Sequence, residues 1–306
     1  MDDACQLDGP RFEIDIASDE YPAILRDTPD PPRTLRGIGN PAALRPGIAI
    51  IGSRKATPYG LACAEAFASH IASRGIPIIS GGAMGCDQCA HRMALDAGCP
   101  TVVVFGSGAD VIYPKRGREL FQRVIDAQGA VISENPWGTQ PLRPTFVRRN
   151  RIIAGLAALV LIVEAGLPSG TFSTADAALR ANRDVAAVPG SITSPNSRGT
   201  NHLIAQGAYC IVDTETLDSA IELAWAHSMY ELLSDRVAKG EGDACDDLIG
   251  DDPVLRALAA EALSAQQLAA YFDFSPGELS RRLAAYELDN LIQRGMDGRY
   301  QLVPRH

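Results

Sequence analysis

Ile48-Ala49-Ile50-Ile51-Gly52-Ser53-Arg54-Lys55-Ala56-Thr57, running on into Leu61–Arg74, is the stretch on which the fold turns. An aliphatic run ends in a Gly/Ser break, and a helix-forming segment follows at once. The run does not alternate apolar with polar, so the strand it forms is buried on both faces, the habit of parallel strands covered by helices. The same grammar repeats outward. Pro77–Ile79, Thr101–Phe105, Ala130–Ser133, Leu159–Val163, Val185–Val188 and Tyr209–Val212 read as strands. Cys86–Ala97, Gly117–Gln128, Asn150–Leu156, Ser173–Asn182 and His202–Gln206 read as helices. Repeated strand–helix units predict an α/β fold with a doubly wound, mostly parallel sheet.

The flanks read differently. Tyr21-Pro22 to Leu35 and Gly37 contains Pro29, Pro31 and Pro32, so residues 1–47 are expected as a largely extended lead-in with an edge strand near Thr34–Ile38. Residues 48–233 are expected as the ligand-binding domain, closed by a helix over Leu217–Leu233. Residues 234–252, holding Asp243, Asp246, Asp247, Asp251 and Asp252, read as a solvated acidic linker. In 253–306, helices at Val254–Leu258, Ser264–Tyr271 and Ser275–Asn290 precede Leu291–Gln293, a turn at Asp297–Gly298 and Tyr300–Val303. Ser275 as N-cap, Pro276 at N1 and Glu278 at N3 open the third helix. The pattern is winged-helix-like. Its Arg281, Arg282, Arg294 and Arg299 are balanced by Glu278, Glu287, Asp289 and Asp297, which favours a module for protein contact or dimer modulation over a reader of duplex DNA.

With 306 residues, 46% of them hydrophobic, the chain can build one large domain and one or two small ones. No apolar run nears the roughly 20 residues that span a bilayer. Met1–Pro10 is acidic and polar, unlike a signal peptide, and a soluble cytoplasmic protein is expected. The 7 cysteines are scattered, poor material for a disulfide framework. Cys86 and Cys89 spell C-x-x-C, open to redox or metal chemistry or to two small buried residues opening a helix. A zinc site needs two further ligands and no second close pair exists, so no metal and no cofactor are expected. The net charge of −9 opposes nucleic-acid binding until it is divided along the chain. Residues 48–213 carry 15 basic and 11 acidic side chains, whereas 214–252 carry 2 and 11. The acidity lies in the flanks, and the candidate binding domain is mildly basic.

In parallel sheets ligands bind at the carboxyl ends of the strands. The loops at those ends are Gly52-Ser53-Arg54-Lys55, Ser80-Gly81-Gly82-Ala83-Met84-Gly85, Gly106-Ser107-Gly108 with Tyr113-Pro114-Lys115, Glu164 with Ser169-Gly170-Thr171-Phe172-Ser173-Thr174, and Pro189-Gly190-Ser191. Glycine lets backbone N–H groups approach an anion, and helix N-termini, hydroxyls and cations complete a phosphate site. No G-x-x-x-x-G-K-[ST] is present, nor a G-x-G-x-x-G after the first strand, so nucleotidase and dinucleotide readings lose support. These residues do not by themselves choose between a nucleotide and a polynucleotide.

Ile51-Gly52-Ser53-Arg54, Ser80-Gly81, Gly85-Cys86-Asp87, Ala90-His91, Tyr113-Pro114, Ser133-Glu134, Arg149-Asn150-Arg151-Ile152-Ile153-Ala154-Gly155-Leu156, Val163-Glu164-Ala165, Ser169-Gly170-Thr171 and Pro189-Gly190, in this order, resemble the DprA/Smf family of bacterial DNA-processing proteins. The resemblance covers roughly residues 20–213. It implies a Rossmann-like domain that binds single-stranded DNA, protects incoming strands during natural transformation, loads the recombinase RecA and forms a homodimer, without enzymatic activity. The rival is a hydrolase resembling LOG-type phosphoribohydrolases, whose P-G-G-x-G-T-x-x-E signature is missing here.

The expected phosphate- and DNA-binding residues are Gly52, Ser53, Arg54, Lys55, Gly81, Gly82, Lys115, Arg151, Ser169, Gly170, Thr171, Phe172 and Thr174. Arg54 leads them, with a surface salt bridge as the competing role. Lys115 either tracks the backbone or is solvated, and Phe172 either stacks on a base or packs in the core. In the cluster of Arg143, Arg148, Arg149 and Arg151, Arg151 is expected toward the groove. Asp87 and His91, four apart, are expected as a partnered structural pair, and Glu164 as a carboxylate that orients arginines or backbone amides.

Overall fold

The computed structural model describes residues 6–238, 252–260, 263–272, 279, 282–283, 285–286, 291–294 and 299–303. Its first unit ends at Leu232 and the second begins at Leu233. In the first unit the strands are β1 (Arg11–Asp15), β2 (Thr34–Gly39), β3 (Gly47–Ile51), β4 (Ile78–Ser80), β5 (Thr101–Val104), β6 (Ala130–Ser133), β7 (Ala157–Ile162), β8 (Asp184–Ala187) and β9 (Tyr209–Cys210). The helices are α1 (Ala23–Arg26), α2 (Pro58–Ser73), α3 (Cys86–Asp96), α4 (Arg118–Asp126), α5 (Arg143–Leu156), α6 (Phe172–Arg180), α7 (Arg198–Ala205) and α8 (Thr214–Ala238), of which the residues up to Leu232 belong to this unit.

The strands form one sheet in the order β1-β2-β6-β5-β4-β3-β7-β8-β9. The seven from β3 to β9 pair in parallel, as the uninterrupted aliphatic runs predict. Ile48 and Ile50 pack on α2, α3 and α8, whereas Ala49 and Ile51 pack under α5 and α6. Both faces of β3 are therefore inside, which is why period-two alternation is absent.

Within the expected lead-in, the described residues 6–47 are not a separate extended segment. β1 and β2 continue the sheet antiparallel from β6, in register Arg36↔Ser133 and Ile14↔Leu35, and Leu35 and Ile38 are fully buried. The proline-rich segment between them is fixed by the Tyr21 hydroxyl, which donates to the Pro32 carbonyl at 2.8 Å. Prolines made this region read as surface chain, while the strand on each side of them was too short to be told from it.

Helix α5 starts two turns earlier than Asn150. Pro144 stands in its first turn, where a missing N–H costs nothing, and the Thr145 hydroxyl donates to the Leu142 carbonyl at 2.7 Å. In the second unit, helices Pro253–Ala260 and Ala265–Phe272 and strands Leu263–Ser264, Ile292–Arg294 and Arg299–Leu302 enclose Val254, Leu258, Leu268 and Ile292. The three strands form an antiparallel sheet with Arg299–Leu302 in the middle. Ser275, Pro276, Glu278 and the Asp297–Gly298 turn lie outside the described residues, as does most of the acidic stretch.

Candidate nucleic-acid interface

Strand order makes the site. From β3 the chain winds one way through β4, β5 and β6, then β7 returns to the other side of β3. Loops leaving β3 and β7 part at this switch point and leave a crevice at the strands' carboxyl ends. A groove of about 560 Å³ occupies it. Gly52 to Lys55 form one wall, Ser169, Gly170, Thr171 and Thr174 another, and Phe146, Arg149, Asn150 and Ile153 of α5 a third. A recess of about 50 Å³ shares Arg54, Phe146 and Arg149 and adds Gly81, Met84 and Tyr113.

The loop after β3 is tied at its far end. The buried Glu164 carboxylate, just past β7, accepts from the Thr57 N–H at 2.9 Å and the Thr57 hydroxyl at 2.5 Å. Thr57 in turn caps α2 by accepting from the Gly60 N–H at 3.1 Å. Glu164 thus orients a backbone amide. Arg54 and Lys55 stand exposed on the tip of this loop and have no ion-pair partner among the described residues.

The loop after β4 lies against it backbone to backbone. Gly85 has φ +86, and a Cβ there would sit 2.2 Å from the Ser53 carbonyl oxygen, so only glycine fits. A Cβ on Gly52 would meet the Cys86 sulfur at 2.6 Å, so packing against α3 alone demands that glycine. Asp87 organises the same loop by accepting from the Gly81 and Ala83 N–H groups at 3.2 and 3.3 Å. Burial raises its pKa, opposed by the charge of Arg149 and by these hydrogen bonds.

Arg149 is the buried cation of the groove, 5% exposed. It donates to the Gly81 carbonyl at 2.8 Å and to the Val104 carbonyl, tying α5 to the ends of β4 and β5. Burial lowers its pKa to about 10, with Asp87 pulling it back up, so it stays charged at neutral pH. Phe146 lies one turn before it, its ring 5.9 Å from the guanidinium carbon and 5.1 Å from the Tyr113 ring. Tyr113 and Met84 are 41% and 45% exposed, which makes this end of the groove an open aromatic and apolar surface. At the other wall the Ser169 and Thr171 hydroxyls are 2.9 Å apart, and α6 begins there, so its N-terminal turn borders the groove.

Four expected residues stand elsewhere. Gly82 is buried, φ +68, where a Cβ would collide with Val103 and Phe121; it serves the turn. Lys115 is exposed and lines neither the groove nor the recess, although Tyr113 and Pro114 beside it do. Phe172 is half-buried against the core, its ring 6.1 Å from that of His202, so packing is its role here. Arg151 points away from the groove and is held by Glu134 at 2.5 Å and Asp30 at 3.1 Å. Two positions along a helix turn a side chain about 200°, so Arg149 and Arg151 cannot serve one wall. Arg149, Phe146, Asn150 and Tyr113 line the site without being among the expected residues. The signal was there for Phe146, which precedes Arg149 by three residues on one face once α5 is started at Arg143.

Asp87 and His91 are not partners of one another. The His91 Nδ1 is 2.7 Å from the Thr101 hydroxyl, which donates to the Ile78 carbonyl, so His91 must supply the proton. Burial pushes its pKa down to about 3, and its Nε2 has no hydrogen-bond partner among the described residues. Cys86 and Cys89 are buried free thiols, and burial pushes Cys86 up to about 12, the reverse of an activated nucleophile. Among the described residues no group of three or more His, Cys, Asp or Glu is placed to hold a metal. No helix among them is long and apolar enough to cross a membrane.

The family model described as DNA recombination-mediator protein A matches residues 13–222. Protein Smf of Escherichia coli (strain K12) is 40% identical over 215 residues, covering 70% of this chain and 58% of that protein. DNA processing protein DprA of Streptococcus pneumoniae is 38% identical over 214 residues, covering 70% and 74%. The X-ray structure of DprA from Streptococcus pneumoniae matches with a TM-score of 0.64 at 37% identity, over 69% of this chain and 74% of that one. DNA processing protein A from Helicobacter pylori, whose structure concerns a single-stranded DNA binding mode, matches with a TM-score of 0.62 at 28% identity, over 72% and 98%. The chain spans 58%, 51% and 64% of the length of Smf from Escherichia coli, Smf from Synechocystis and the putative DprA from Mycobacterium tuberculosis. By the extent of the family match and by its fold, the chain belongs to the DNA recombination-mediator protein A family, the DprA/Smf proteins.

Proposed function

We propose that this protein binds single-stranded DNA along the switch-point groove, shields an incoming strand during natural transformation, and loads RecA onto it for recombination. It acts in the cytoplasm as a homodimer. One observation carries the binding: Arg54 and Lys55, without an ion-pair partner among the described residues, buried Arg149 and the Ser169–Thr174 hydroxyls line an open groove that ends in Phe146 and Tyr113. Cations and hydroxyls serve phosphates, and exposed rings serve unstacked bases, the pairing that single-strand binders use. A closed nucleotide pocket would need no such open end. The recombination-mediator description of the family supports the step to RecA. A hydrolase would need Glu164 as a base, and Thr57 already occupies both of its oxygens.

The test is a salt series with one oligonucleotide as single strand and as duplex. Single strands are expected to bind more tightly, with affinity falling steeply as salt rises. Equal affinity for the duplex, or insensitivity to salt, refutes the reading. Hydrolysis of a nucleoside monophosphate that is abolished by Glu164→Gln would put the hydrolase in its place.

A further inference from the structure

A second cavity, about 440 Å³, lies on the flank of α5 that faces away from Arg149. It shares Val147 and Ser173 with the groove, so the two openings meet over the first turns of α5 and α6. Arg148, Arg151 and Arg180 line it, with Asp30 the one carboxylate among its lining residues.

The three arginines differ in what remains free. Arg151 is a strut: Nη1 donates to the Asp30 carbonyl at 2.6 Å, Nη2 to Glu134 at 2.5 Å, and Nε lies 3.1 Å from the Asp30 carboxylate. Arg148 touches Glu134 through one nitrogen at 3.1 Å, and its side chain is 62% exposed. Arg180, in the last turn of α6, is exposed and has no ion-pair partner among the described residues. Arg151 holds Asp30 and takes the shorter contact to the Glu134 oxygen that it shares with Arg148, so an arriving anion meets the exposed ends of Arg148 and Arg180. Between the cavity and the groove, Val147 is 60% exposed and offers an apolar surface to a passing base.

A ligand that reaches Arg54 and also Arg148 and Arg180 must round a helix roughly 10 Å across and carry a negative charge at intervals along its length. We propose that the bound strand leaves the groove over Val147 and Ser173 and lays backbone phosphates on Arg148 and Arg180. The inference rests on the single-strand reading of the groove and extends its site.

The experiment compares the full chain with the double variant Arg148→Ala/Arg180→Ala, binding oligothymidylates of roughly 4 to 16 nucleotides, the span of known single-strand site sizes. Both side chains are exposed, and matched urea midpoints show that the variant is folded. The shortest strands should bind both proteins equally. The longest should lose roughly tenfold in affinity on the variant, with a plot of log affinity against log salt shallower by about 0.7 per lost phosphate contact. A variant that matches the wild type at every length overturns the proposal, as does one weakened equally at all lengths. A wild type that binds no single strand overturns the groove reading and this inference with it, and the two failures are told apart by that control.

Discussion

Arg54 stands exposed on a loop whose far end is anchored by Glu164, so its removal takes away charge and little packing. Arg54→Ala is expected to weaken single-strand binding and to flatten the salt dependence by about 0.7 in slope, read by titration at several salt concentrations. An unchanged slope would remove Arg54 from the phosphate contacts. His91 makes a different kind of prediction. Its folded pKa of about 3 lies below the ordinary 6.5, so in that window the unfolded chain holds a proton that the folded chain does not. Its stabilising contribution is complete above pH 6.5 and is lost as pH falls toward 3. Between pH 6.5 and 5 the loss should be about 2 kcal/mol, and urea unfolding of His91→Gln should show a correspondingly shallower pH dependence.

At the scale of elements, two devices set the groove. One is the phase of α5, which sends Phe146, Arg149, Asn150 and Ile153 to the groove and Arg148 and Arg151 to the opposite flank. The other is the join between β7 and α2, where Glu164 holds the capping Thr57. Glu164→Ala leaves the Thr57 amide without its acceptor and opens space under Gly60, at an expected cost of about 1–3 kcal/mol in denaturant unfolding. Because the same residue fixes the loop that carries Arg54, single-strand affinity should fall as well. A stability loss with wild-type affinity would show that the loop keeps its form without the cap.

For the molecule as a whole, the groove is built entirely within the first unit, between Ile51 and Asn196. The second unit has its own core around Val254, Leu258 and Leu268. Deleting residues 246–306 is therefore expected to leave single-strand binding within about twofold of the full chain, a change inside the scatter for independent sites. Loss of all DNA binding on deletion would move the binding function to the second unit.

How much of this was legible in the sequence follows from what is local. Ile48–Ile51 and its six companion runs announced parallel strands, and the inner ones lack period-two alternation because both of their faces are buried, whereas β9 is partly exposed. The Gly/Ser/Thr loops announced the binding edge, because tight strand-to-helix turns and anion contacts draw on the same small residues. Ordered motifs carried the resemblance to the DNA-processing family. Three matters depended on residues distant in the chain. Strand order placed β7 beside β3 and so opened the crevice. Helical phase, counted from a start at Arg143 that a proline had disguised, chose Arg149 over Arg151. Packing partners decided that Gly82 meets Phe121, that Phe172 joins the core and that Gly52 makes room for Cys86. A sequence specifies such side-chain directions only through the contacts that fix them, and those contacts exist once the sheet has closed.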